Sequence, residues 1–306
     1  MLRWIGRIAG FACFCLFAGV MMAADDTPLS PTIVDATGKE ITPTKWSFAF
    51  GTRKLTFLPD APEAFELRET NSTTFKDGII TWVPLQRIEA IEYDSEMQTI
   101  RVRVVSVKEP LTGSTRFKEV NQLVLETETD AGNNGIAAVK YRGGLPRTGI
   151  RAIRFPLMKQ TDPMKESGDA YTIRIAEAKG KGSSVIVRDL RPLYWLDRTE
   201  RFGTALWFKK SLKIDMADIE QFAVVQPPTK AAPAECEVVK KDGTSLGLTL
   251  LATAPPESKT GQLLGLVGRV DAGYRLFPIH TISEWKRGIT PDKEEEPPAR
   301  IEPLKK

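Results

Sequence analysis

Along most of this chain apolar and polar residues alternate with a period of two, in runs too short for anything but β-strands. Met97 to Val105 is the clearest case: Ile100, Val102 and Val104 fall on one face and Arg101 and Arg103 on the other. Such a strand has one buried and one wet side. Phe65-Glu66-Leu67-Arg68 and Glu235-Cys236-Glu237-Val238-Val239 alternate in the same way. Further short strands are predicted at Trp46 to Phe50, Lys54 to Leu58, Ile136 to Tyr141, Tyr171 to Ala176, Ser184 to Arg188, Ala205 to Lys209 and Leu263 to Val270. Between them stand turn formers. Asp77-Gly78 and Asp242-Gly243 supply the positive backbone angles of tight hairpins, and Asp130 to Gly135 reads as another hairpin turn.

One stretch, Trp82 to Tyr93, has loose copies elsewhere. Aligned on Pro84, Pro146, Asp215 and Pro278, the copies are spaced by 62, 69 and 63 residues. Four positions on stands Ile88, Ile150, Ile219 or Ile282, and three beyond that Ile91, Ile153, Phe222 or Trp285. The physical reading is a fold-closing joint. A strand ends at a proline, which cannot donate to the ladder; one 3-10 turn swings the chain, and the first Ile plugs the core as the next strand begins. SH3-like and Sm-like barrels join their last two strands in this manner.

The expected fold is therefore mainly β, with tandem small SH3-like or Sm-like barrel or sandwich units, short 3-10 turns and little α-helix. The units are placed at 45–107, 108–165, 166–226 and 234–288. Before them lies an extended lead-in at 25–44, a Pro-rich linker occupies 227–233, and a charged, Pro-rich tail at 289–306 reads as disordered. With 306 residues, 42% of them hydrophobic, each unit can bury a core of its own.

The first 24 residues change where this fold is expected to work. Arg3 and Arg7 precede an uncharged, largely apolar run from Ile8 to Met22, and Ala23-Ala24 offers a small-residue cleavage zone. This is the pattern of an export signal, and the run is shorter than the roughly 20 residues that span a bilayer. Cleavage would lower the formal charge from +4 to +2, by loss of the two arginines, and leave Cys236 as the single cysteine. The mature chain is then an exported protein of the periplasm, cell envelope or exterior. It has no disulfide, no membrane span and no field for nucleic acid.

Candidate chemistry is sparse. His280 is the only histidine, so a two-His metal site is excluded within one chain, and its place in the fourth joint reads as solvent-facing. Cys236 alternates as a core-facing strand residue. Candidate carboxylates for a hydrolase are Asp189, Asp197, Glu200, Asp215 and Asp218, with Asp218 better read as the cap of its turn. Gly265-Leu266-Val267-Gly268 lacks the spacing of a phosphate loop; its glycines relieve crowding in a bent strand. The densest aromatic and basic cluster is Arg191, Tyr194 and Trp195 together with Trp207. It suits a protein-binding or sugar-stacking face, the alternative being that both tryptophans are core residues of neighbouring strands. No cofactor is implied.

Phe65 to Tyr93, Val120 to Phe155 and Gly265 to Trp285 together resemble a lineage-restricted group of exported proteins found in planctomycete-type bacteria. That resemblance implies no activity and supplies no catalytic residues. The function expected is a non-enzymatic envelope or extracellular interaction module, with an envelope protein or a glycan as partner. The alternatives are a carboxylate-dependent extracellular hydrolase and a glycan-binding module.

Overall fold

A computed structural model describes residues 31–35, 37–43, 45–48, 52–68, 78–94, 99–114, 124–130, 136–142, 150–156, 168–176, 183–253 and 261–289. The expected export signal at 1–24, the expected joint around Pro146 and the tail beyond Ile289 lie outside the described residues. So do the Asp130–Gly135 turn beyond Asp130 itself and Asp77 of the first Asp-Gly turn. The described chain is mainly β, in antiparallel sheets. Among the described residues no helix is long and apolar enough to cross a membrane.

The strands of the first half are β1 (Thr32–Asp35), β2 (Glu40–Ile41), β3 (Lys45–Phe48), β4 (Thr52–Lys54), β5 (Glu63–Arg68) and β6 (Ile80–Pro84), then β7 (Ile88–Asp94), β8 (Thr99–Val104), β9 (Leu111–Gly113), β10 (Val124–Asp130), β11 (Ile136–Arg142) and β12 (Ile150–Arg154). Those of the second are β13 (Ala170–Ile175), β14 (Ser184–Leu196), β15 (Thr199–Phe202), β16 (Ala205–Phe208), β17 (Leu212–Asp215) and β18 (Ile219–Gln226), then β19 (Glu235–Lys240), β20 (Ser245–Thr249), β21 (Gln262–Val270), β22 (Gly273–Phe277) and β23 (Ile282–Arg287).

The joint is where sequence dictates geometry most plainly. Single 3-10 turns at Leu85–Arg87, Met216–Asp218 and Ile279–Thr281 each connect two strands. In each, the Ile that follows (Ile88, Ile219 or Ile282) sends its backbone N–H back to the first carbonyl of the turn. Pro84 and Pro278 sit at φ −54° and −55°, the angle that the pyrrolidine ring imposes. Asp215 reaches −70° without a ring, so the turn tolerates its substitution. No side chain caps the third joint: the expected Asp218 cap is absent, and the Asp218 carbonyl instead accepts from the Lys241 N–H at 2.9 Å. All four isoleucines, Ile150 included, are buried.

The residues three further on line up with one another. Ile91 stands opposite Ile153 where β7 pairs with β12, and Phe222 opposite Trp285 where β18 pairs with β23. Each pair is the centre of an apolar rung. Across the first sheet it runs Ile41, Ile33, Ile153, Ile91, Val102, Leu111. Across the second it runs Val185, Ile173, Trp285, Phe222, Val238, Leu246. In both rungs the four inner residues are fully buried and the outer two half-buried. Directly opposed apolar side chains are the unit of sheet stabilisation, and here six in a row form the core floor of each half.

Most of the remaining pairings correspond, although β4 with β5 and β14 with β15 have no counterpart in the other half. In the first half β1 pairs with β2 and β12, β3 with β10, and β10 with β11. Inserted between β3 and β10, β5 pairs with β6, β7 with β8, and β8 with β9. In the second half β13 pairs with β14 and β23, β14 with β21, and β21 with β22. Inserted between β14 and β21, β16 pairs with β17, β18 with β19, and β19 with β20. No sheet closes on itself among the described residues. The nearest approach is a single bridge in each half, Arg68 with Ser114 and Phe208 with Leu250.

Two segments read as connections are part of this scheme. Within 25–44, β1 and β2 are paired strands of the six-stranded sheet. The Pro-rich stretch 227–233 is the loop of the β18–β19 hairpin, held by Thr229, whose hydroxyl accepts from the Ala231 and Ala232 N–H groups. The halves meet where β6 pairs with β22, with Thr81 opposite Arg275. Both residues precede their joint proline by three. Gly273 permits that contact: a Cβ there would stand 2.2 Å from the Trp82 carbonyl oxygen.

Candidate functional site

The β5–β6–β22 ladder presents one face to a cleft of about 440 Å³ between the halves. Alternation puts Ile80 and Trp82 of β6 on that face, and β5 adds Glu66 and Arg68. From the sequence, Glu66 and Arg68 belong on a wet face. In the structure Glu66 is buried, in a cleft also lined by Arg53 of β4, Glu200 of β15 and the joint at Pro278.

The charged groups of the cleft are tied to one another. Trp82 donates its Nε1–H to Glu66 Oε2 at 3.2 Å, and Arg68 donates from Nε and Nη2 to Glu66 Oε1, both at 3.3 Å. Arg53 of β4 grips Glu200 of β15 in bidentate fashion, through Nη1 to Oε1 at 3.1 Å and Nη2 to Oε2. Its guanidinium also lies 5.3 Å from the centre of the Trp82 ring. Phe57 continues the cluster, 5.4 Å from Trp82 and edge-on to Phe202 at 5.1 Å. A fork-to-fork arginine pair occupies both oxygens of a carboxylate. Glu200 is thus held in a structural pair, and Glu66 carries donors on both of its oxygens.

His280 lines this cleft, half-buried, rather than facing solvent as its place in the turn suggested. The other candidate carboxylates are dispersed. Asp189 pairs with Arg269 at 3.1 Å in a left-handed bend, Asp197 sits in the β14–β15 turn at φ 47°, and Asp215 pairs with Lys213 at 3.2 Å. Among the described residues no group of His, Cys, Asp and Glu could hold a metal ion. Cys236 is buried, and burial, with a smaller contribution from Glu235, pushes its thiol up to about 12. At neutral pH it stays protonated and inert.

The predicted aromatic cluster does not assemble into one face. Tyr194 is a core residue whose hydroxyl donates to the Ala205 carbonyl at 2.8 Å, and burial raises its pKa. Gly203 lies flat on its ring, where a Cβ would meet Cε2 at 2.6 Å. Trp207 packs half-buried against the second-half core. Trp195 is 40% exposed, on the side of β14 that alternates away from Tyr194. Arg191 is exposed and lies over the Phe202 ring at 5.6 Å. The glycines of β21 act as expected. A Cβ on Gly265 would stand 2.4 Å from the Phe277 carbonyl, and one on Gly268 would press on Val187 at 2.9 Å.

No family model, no curated protein and no solved structure matches the chain.

Proposed function

We propose that this is an exported, non-enzymatic interaction or scaffold module. In this reading it is built as two duplicated halves, each a small SH3-like or Sm-like barrel carrying a second one inserted between its strands. The recurrence of one pairing scheme supports the duplication. Pro84 and Asp215 are separated by 131 residues and Pro146 and Pro278 by 132, the near-constant shift that a duplication produces. Three features support the barrel reading: the strand, 3-10 turn, strand joint, its plugging isoleucine, and the bridges that draw β9 toward β5 and β20 toward β16.

The observation that carries the functional reading is the state of the cleft. Its two carboxylates, the buried Glu66 and the half-buried Glu200, are engaged by Arg68, Trp82 and Arg53. A general acid or nucleophile needs an oxygen directed at substrate, and these serve to hold β4, β5, β6 and β15 together. The test is turnover by the mature chain on panels of glycans and esters, beside Glu66→Gln and Glu200→Gln. The reading expects no turnover in any of the three. Turnover that either substitution abolishes, with folding intact, would replace it with the hydrolase reading.

A further inference from the structure

The opposite face of the β6–β22 ladder carries Thr81 and Arg275, and a cavity of about 530 Å³ opens over this rung. Its apolar lining includes Leu111 from the first half and Ile186 and Ile289 from the second. Ile186 and Ile289 are 48% and 56% exposed, two of the five large apolar side chains that stand exposed among the described residues. Their concentration at one opening marks a surface that gains from being covered.

The polar lining is cationic in excess, with Arg188, Arg269 and Arg275 against Asp271. Arg269 is paired with Asp189, yet it also stands directly opposite Arg188 in the β14–β21 ladder, where like charges repel. Arg275 is the most withdrawn of the three. Burial lowers its pKa to about 10, so it remains a cation at neutral pH in a place where water solvates it poorly. Its guanidinium lies 5.8 Å from the centre of the Phe277 ring. Beside it Thr81 is 1% exposed, and its Oγ1 has no hydrogen-bond partner among the described residues. A buried hydroxyl in that state carries a desolvation cost that a bound acceptor would remove. A pocket of this size that combines apolar side chains with convergent polar groups is a usual form of a small-molecule site.

We propose that this cavity binds an aliphatic carboxylate, with its carboxylate on Arg275 and Thr81 and its chain between Leu111, Ile186 and Ile289. The ligand would span the seam between the halves. The proposal does not depend on the scaffold reading, and its failure would leave that reading untouched.

The experiment is calorimetric titration of the mature chain with decanoate, with decanol and acetate as separate arms. Decanoate is expected to saturate one site. Decanol, lacking the charge, should bind at least about tenfold more weakly, the loss of a charge-assisted hydrogen bond, and acetate, lacking the chain, should give no measurable heat. Ile186→Glu, an exposed change that leaves the core intact, should weaken decanoate at least about tenfold without altering the melting temperature, and Arg275→Gln should remove the preference for decanoate over decanol. The proposal is overturned if decanol or acetate binds as well as decanoate. It is equally overturned if Ile186→Glu has no effect, or if decanoate gives no heat up to millimolar concentration.

Discussion

Ile88→Asp tests the joint most severely. Ile88 is 3% exposed, closes the 85–87 turn through its N–H, and packs in the first-half core with Ile33, Phe65 and Ile91. Removing its apolar surface costs about 2 to 3 kcal/mol, and burying a carboxylate without a partner adds roughly 2 to 3 more, even if the group neutralises. The sum, roughly 4 to 6 kcal/mol, is comparable with the whole stability of a typical domain, about 5 to 15 kcal/mol. At about 2 to 4 °C per kcal/mol for a chain of this order of size, the melting temperature should fall by about 10 °C or more. The new carboxyl would have its pKa raised in the folded state. The folded form then holds a proton that the unfolded form has released, and the deficit relative to the parent should grow above about pH 4 and narrow below it. Thermal melts followed by circular dichroism, with urea titration at two pH values, read both effects. Gln86→Ala, two residues earlier and exposed, should stay within about 0.5 kcal/mol of the parent. If Ile88→Asp melted within 2 °C of the parent, on the order of a single surface change, the joint would not be a core element.

Three further outcomes follow from particular contacts. Arg53→Ala leaves Glu200 without its bidentate partner and uncovers Trp82. Because about a quarter of the Arg53 side chain is exposed (27%), the expected cost is a modest 1 to 2 kcal/mol or so, and a double-mutant cycle with Glu200→Gln should give a coupling energy above about 0.5 kcal/mol. Gly113→Ala would place a Cβ 2.3 Å from the Arg68 carbonyl oxygen and break the bridge between β5 and β9. Amide exchange at Arg68 and Ser114, now bonded at 2.7 and 2.8 Å, should speed up selectively. Cys236 should resist iodoacetamide at pH 8 in the folded chain and react in urea. Its folded pKa of about 12 lies above the ordinary 9, so the folded state keeps a proton that the unfolded state loses. Its contribution is therefore fully present below about pH 9 and is lost as pH rises toward 12, which alkaline melts of the parent against Cys236→Ala would detect.

The strands and joints were legible because they rest on local physics. Proline ends a ladder, period two marks a strand, and Ile88, Ile150, Ile219 and Ile282 recur at one offset from the joint. The pairing of the joints was not legible. Nothing local to Ile91 announces that its neighbour is Ile153, or that Phe222 faces Trp285, because antiparallel contacts between distant strands leave no trace in the spacing of either one. For the same reason the Pro-rich 227–233 stretch read as a linker, although the same composition serves a hairpin loop when the flanking strands pair. The cleft was hidden more deeply. Glu200 was visible as a candidate acid, but Glu66 looked like the wet side of a strand, and nothing local shows that this side faces a cleft shared with Arg53 and Glu200. Arg191, Tyr194, Trp195 and Trp207 were grouped by proximity in sequence, whereas alternation along β14 sends Tyr194 into the core and Trp195 outward.

The central proposal is that the chain is exported and works by holding a partner. Affinity capture from envelope extract by the tagged mature chain tests it most directly, with a heat-denatured sample of the same chain as control. The account predicts one component retained in stoichiometric amount by the folded chain, surviving a salt wash and absent from the control. Equal retention by both samples, or none by either, would contradict it.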